Sequence, residues 1–78
     1  MEILYGRYPV LEALRSSRRA HDCLYLAQGV REQGTVVAIL RLATELSLRT
    51  EWLSKGEHDQ LVGNRHHQGI ALRTSDYP

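Results

Sequence analysis

Two short segments hold most of the side chains with chemistry to offer. Asn64-Arg65-His66-His67-Gln68-Gly69 sets a guanidinium, two imidazoles and a carboxamide directly ahead of the apolar run Ile70-Ala71-Leu72. Neutral imidazole and carboxamide groups both donate and accept hydrogen bonds, so they can read base edges and a ribose 2′-hydroxyl, and imidazole rings can stack on unpaired bases. Gly69 permits a positive φ or the close approach of another backbone. Near the other end, Gly6-Arg7-Tyr8 lies where an apolar strand enters a helix. A helix start favours phosphate through its free N–H groups and dipole, Arg7 can add a charge-assisted contact, and Tyr8 offers a stacking face. Plainer readings stand beside these. His67 or Gln68 can tie the turn to the sheet through hydrogen bonds, Arg7 can be solvated, and Tyr8 can pack on the sheet edge. Arg18 and Arg19, next to Arg15, form a basic cluster that reads either as a solvated loop or as a phosphate contact.

Common catalytic signatures are missing. No Gly-x-Gly-x-x-Gly follows a strand, there is no Gly-x-x-x-x-Gly-Lys-Ser/Thr, and no Gly-x-Ser-x-Gly elbow occurs. His58, His66, His67 and Asp59 are the candidates for a metal site. Side chains of adjacent residues diverge, which keeps His66 and His67 from one ion, and a closed zinc site needs four well-placed ligands. The sequence therefore implies no metal.

The elements that must position these groups follow from pattern. Glu2 to Tyr5 reads as a strand ended by Gly6. Pro9 suits the first turn of a helix, where its missing N–H costs nothing, and Val10, Leu11 and Leu14 form the apolar face. Asp22 to Ala27 is almost continuously apolar, as expected of a central strand covered on both sides. A loop from Gln28 to Gly34 leads to a helix capped by Thr35. Val36, Ile39, Leu40, Ala43 and Leu46 mark the buried face of that helix. Leu48, Thr50 and Trp52 alternate with Arg49 and Glu51, which predicts a third strand with Trp52 on its apolar, core-facing side. Ser54 and Glu57 have capping-box spacing ahead of a short helix closed by Leu61 and Val62. Gly63-Asn64 signals a turn, and Gly69 to Thr74 a fourth strand. The order β-α-β-α-β-α-β with short connections implies a single α/β domain in three α/β/α layers. Spacing does not fix the strand order.

Composition bounds the setting. The chain has 78 residues, no Phe and one Trp, so Leu, Val, Ile and Ala must fill a small core. The lone Cys23 cannot form an internal disulfide and sits in an apolar run, which fits a reducing, cytoplasmic location. No apolar stretch reaches the roughly 18 residues of a membrane span, and no basic-then-apolar leader begins the chain. The formal net charge is +1. Residues 1–31 carry five Arg against three acids, whereas residues 32–78 carry five basic residues against six acids.

Leu4-Tyr5-Gly6-Arg7-Tyr8-Pro9-Val10-Leu11-Glu12-Ala13-Leu14 and Asn64-Arg65-His66-His67-Gln68-Gly69-Ile70-Ala71-Leu72 together resemble the two hallmarks of one domain. It is the N-terminal RNA-substrate-binding domain of SpoU/TrmH-class RNA ribose 2′-O-methyltransferases, and the resemblance spans nearly the whole chain. It implies a four-stranded mixed sheet similar to that of ribosomal and kink-turn-binding proteins. It implies a substrate-binding domain over 1–75 and the start of a linker at 76–78, leading to a knotted SPOUT catalytic domain absent from this chain. The implied function is to hold ribosomal or transfer RNA for S-adenosylmethionine-dependent ribose methylation by that separate domain. This segment would itself be non-catalytic and bind no cofactor. The expected RNA-binding residues are Arg7, Tyr8, Arg18, Arg19, Arg65, His66, His67 and Gln68. The expected partner is structured RNA with no membrane, the isolated domain being a monomer and the full-length enzyme a homodimer. The alternative is a free-standing ribosome-associated or kink-turn-type RNA-binding module.

Overall fold

A computed structural model describes residues 2–16, 21–63 and 68–74. Seven elements follow one another: β1 (Glu2–Tyr5), α1 (Arg7–Arg15), β2 (His21–Ala27), α2 (Thr35–Glu45), β3 (Arg49–Leu53), α3 (Lys55–Val62) and β4 (Ile70–Thr74). The expected alternation is present, and the sheet is mixed, in the order β1-β4-β2-β3. β2 pairs parallel with β3, while β4 runs antiparallel to both β1 and β2. The expected linker start at 76–78 lies outside the described residues.

The layers follow from the period-two alternation of β2 and β4. Leu24, Leu26, Ile70 and Leu72 point to one face, where they meet Val10, Leu11 and Leu14 of α1 and Val36, Ile39 and Ala43 of α2. Cys23, Tyr25 and Ala71 point to the other, against Leu61 and Val62 of α3. Both central strands are thus covered on both sides, which is why β2 reads as an unbroken apolar run. Topology puts α3 on the second face. The chain leaves β3 at one edge and must pass β2 to enter the sheet again as β4. His58 of α3 is fully buried on the way, its Nε2 3.1 Å from the Tyr25 carbonyl oxygen. This candidate metal ligand is therefore a structural residue joining helix to sheet. Among the described residues no cluster of three or more His, Cys, Asp or Glu side chains is placed to hold an ion.

Four local expectations need correction. Thr35 is the first residue of α2, not its cap. Gly34 holds the cap position, and no side chain closes the helix start. Trp52 is 44% exposed and Leu46 51% exposed, so neither is core. Trp52 lies beside Leu26 in the register, but β3 is an edge strand and the two-helix core is centred on β2 and β4. Leu46 falls just past the last helical residue, where the buried stripe of α2 has ended. The third strand begins one residue later than alternation suggested, at Arg49. The Ser54–Glu57 capping box is formed in full. Glu57 N–H donates to Ser54 Oγ at 3.2 Å, and Ser54 N–H donates to Glu57 Oε1 at 3.0 Å.

Candidate nucleic-acid interface

Sheet topology decides which connections meet. β1, β2 and β3 all run antiparallel to β4 or parallel to a strand that does, so their C-terminal ends lie at one end of the sheet, beside the start of β4. Ligands of open α/β sheets bind outside strand C-termini of this kind. Tyr5 stands opposite Ala71 and Leu26 opposite Ile70. The Gly6-Arg7-Tyr8 turn and the Gln68-Gly69 turn, 61 residues apart, are therefore neighbours.

Backbone hydrogen bonds lock them together. Gly6 N–H donates to the Ile70 carbonyl at 3.1 Å, and Ala27 N–H donates to the Gly69 carbonyl at 2.9 Å. The bond that joins the two motifs is made by a side chain. Arg7 N–H donates to Gln68 Oε1 at 2.9 Å, and Arg7 Nε donates to the same oxygen at 3.3 Å. Gln68 thus caps α1 from outside its own sequence and steers the first segment of the Arg7 guanidinium. Its own backbone is held at φ 56, a left-handed conformation uncommon away from glycine. Gly69 follows at φ 74, with its backbone so close to Val30 that an added Cβ would stand 3.3 Å from Val30 Cγ2. Both properties explain a glycine there.

The capping bond changes the reading of the α1 N-terminus. The first N–H of the helix is already taken by Gln68, and Pro9 has none to give, so this helix start offers a phosphate fewer backbone donors than the sequence suggested. Tyr8 is 65% exposed and so is not packed on the sheet edge. Arg7 is exposed as well. Of the eight expected RNA-binding residues, Arg7, Tyr8 and Gln68 lie together at this end. Arg18, Arg19, Arg65, His66 and His67 lie outside the described residues. His21, the first described residue after Arg18 and Arg19, pairs with Thr74 at the far end of β4.

Two further groups gather at the same end, and the sequence reading gave them no role. The loop after β2 brings Gln28, whose N–H donates to the Leu53 carbonyl at 2.7 Å. The start of α3 brings Lys55. Both could have been found only by knowing that β2, β3 and the entry to β4 share an end. Elsewhere Arg49 pairs with Glu51 at 2.6 Å, and Arg73 with Asp22 at 2.6 Å. Arg73 also lies over the Tyr25 ring, 5.8 Å from its centroid.

Residues 3–78 match the family described as RNA 2′-O ribose methyltransferase substrate binding. Relatives bear compatible names. Uncharacterized tRNA/rRNA methyltransferases of Mycolicibacterium vanbaalenii and Mycobacterium avium are each 33% identical over 76 residues, covering 97% of this chain and 24% of theirs. One of Mycobacterium tuberculosis is equally similar over 97% of this chain and 23% of its own. The chain spans about a quarter of the length of these curated relatives. With two hallmark turns joined across the sheet and a family match over almost every residue, the chain belongs to the substrate-binding family of RNA ribose 2′-O-methyltransferases.

Proposed function

We propose that this domain grips structured ribosomal or transfer RNA and presents a ribose hydroxyl to a separate SPOUT catalytic domain that uses S-adenosylmethionine. Membership in the substrate-binding family supports the RNA reading. The Arg7–Gln68 junction supports a site at this end, because it makes one surface of two turns distant in sequence. At that surface Arg7 meets phosphate, Tyr8 stacks on an unpaired base, and Arg65, His66, His67 and the free end of the Gln68 carboxamide read base edges and hydroxyls. Arg18 and Arg19 add phosphate contacts. The chemistry of methyl transfer belongs to the other domain, so residues 1–78 alone are expected neither to bind the methyl donor nor to transfer its methyl group. In the cytoplasm, the full enzyme works as a homodimer through its catalytic part, and this domain alone is monomeric.

An amide chemical-shift titration with a structured ribosomal or transfer RNA fragment, at two salt concentrations, tests the assignment. Shifts are expected at 6–8 and 65–69. Binding is expected to be weak, since a net charge of +1 releases few counterions. Replacing Arg18 and Arg19 together by Ala flattens the salt dependence, while His66→Ala weakens a structured target more than random RNA. Shifts confined to 36–46 of α2, with both turns silent, would show the surface to be misplaced.

A further inference from the structure

We propose that the recess between the β2–α2 loop, the start of α3 and the Gln68–Gly69 turn takes one unstacked nucleobase of the RNA, with Lys55 holding its phosphate; this rests on the RNA reading above. The recess encloses about 290 Å³. That is close to the lower bound for small-molecule sites, about 300 Å³, and suits a single nucleotide rather than a helix. Its floor is apolar. Ala27 is buried, Val30 is half-buried, and the Gly69 backbone lies flush against both, an added Cβ meeting Val30 at 3.3 Å and Ala27 at 3.5 Å. A planar base can lie on such a floor without displacing any side chain.

The rim is polar and its chemistry is partly fixed. Gln68 Oε1 is the acceptor for both Arg7 donors, so the amide orientation is set and the NH₂ end remains to donate. Gln28 is exposed and offers both donor and acceptor, while its own N–H is tied to Leu53, which steadies the loop. A carboxamide pair of this composition matches the edges of a base, which carry carbonyl, ring nitrogen and amino groups side by side. Lys55 is the first residue of α3, so its ammonium adds to the positive end of that helix. Among the described residues no carboxylate lies within salt-bridge distance of it. The Glu57 carboxylate, two residues on, accepts the Ser54 N–H through Oε1 and keeps its charge. A cation with no carboxylate partner among the described residues, beside an apolar floor with a hydrogen-bonding rim, is the arrangement a nucleoside phosphate requires.

The test uses adenosine, guanosine, cytidine and uridine 5′-monophosphates, the corresponding nucleosides, and a transfer-RNA transcript, each titrated into labelled protein. At least one monophosphate at millimolar concentration is expected to shift the amides of 27–30, 55–56 and 68–69. Lys55→Ala lowers that affinity about tenfold, the size of one charge-assisted contact, and leaves the nucleoside unaffected. Gln28→Trp, which plugs the recess from an exposed loop position, abolishes both and weakens the transcript about tenfold, the loss of one stacked base. Amide spectra unchanged away from the recess show that both variants fold. If no monophosphate moves these amides, the recess is not a base site, even where the transcript still shifts 6–8 and the RNA reading stands. The proposal also falls if monophosphates bind but Gln28→Trp leaves the transcript affinity intact. A transcript that binds nowhere removes the RNA reading and the proposal together.

Discussion

Gln68 carries the most consequence for a single side chain, because it serves fold and surface at once. Its Oε1 satisfies the first N–H of α1, a role usually taken by a residue at the helix's own cap, and Gly6 has no side chain to take it. Gln68→Ala keeps the left-handed φ and removes the acceptor, so it is expected to cost about 1 kcal/mol, the value of a lost cap. Gln68→Gly removes the same bond but relieves the backbone, so it is expected to melt no lower than the alanine variant despite its greater unfolded-state freedom. Thermal melts of the three proteins decide this. An alanine variant as stable as the parent would show that the Arg7 contact contributes nothing. The sequence made Gln68 visible as a residue with something to bind, and named fold support as an option for it or His67. Which partner it would take was not legible, since Arg7 is brought to it only by the β1–β4 pairing.

Among the elements, those that close on themselves were legible and those that depend on distant neighbours were not. The α3 capping box was visible as Ser54 and Glu57 because both partners sit within one turn. The buried stripes of α1 and α2 were visible because 3.6-residue spacing is local. Trp52 was misplaced because alternation tells which side of a strand a residue faces, not whether a helix covers that side at the sheet edge. Strand order was left open for the same reason. The capping box makes a prediction about pH. The Ser54 backbone N–H, and then its side chain, favour the charged form of Glu57 and hold its carboxyl below the ordinary value. A depressed folded-state pKa means that the contribution is complete above the unfolded carboxyl value and is lost as pH falls through the folded one. The Ser54 amide resonance should therefore titrate with a midpoint below that of a free glutamate, and Glu57→Gln should abolish the titration. A midpoint at or above the ordinary glutamate value would mean that the box does not persist in solution.

For the whole molecule, the two faces of the sheet are unequal supports. The α1/α2 face buries ten residues in one cluster, four of them strand residues at the centre of the sheet, whereas the α3 face buries Cys23, Tyr25 and Ala71. The Gly6–Tyr8 and Gln68–Gly69 turns hang from β1 and β4, and β4 sends side chains to both faces, so the question is which face keeps that end of the sheet in register. Leu26 has no exposed surface and sits one residue before Ala27, whose N–H holds the Gly69 carbonyl. Truncating a fully buried leucine to alanine costs about 3–5 kcal/mol through lost transfer energy and the cavity left behind. A domain of this size has only about 4–12 kcal/mol of stability, and each kcal/mol moves its melting temperature by about 4–8 °C. Leu26→Ala should therefore lower the midpoint by at least ~12 °C or leave the chain unfolded. Cys23→Ala removes a single sulfur from the thinner face, where the thiol is buried and its pKa is raised chiefly by that burial. Its cost should be about 1 kcal/mol. Thermal unfolding followed by far-UV circular dichroism ranks the two. If Cys23→Ala melts below Leu26→Ala, the single helix α3, with His58 hydrogen-bonded to Tyr25, holds that end of the sheet together rather than the two-helix face.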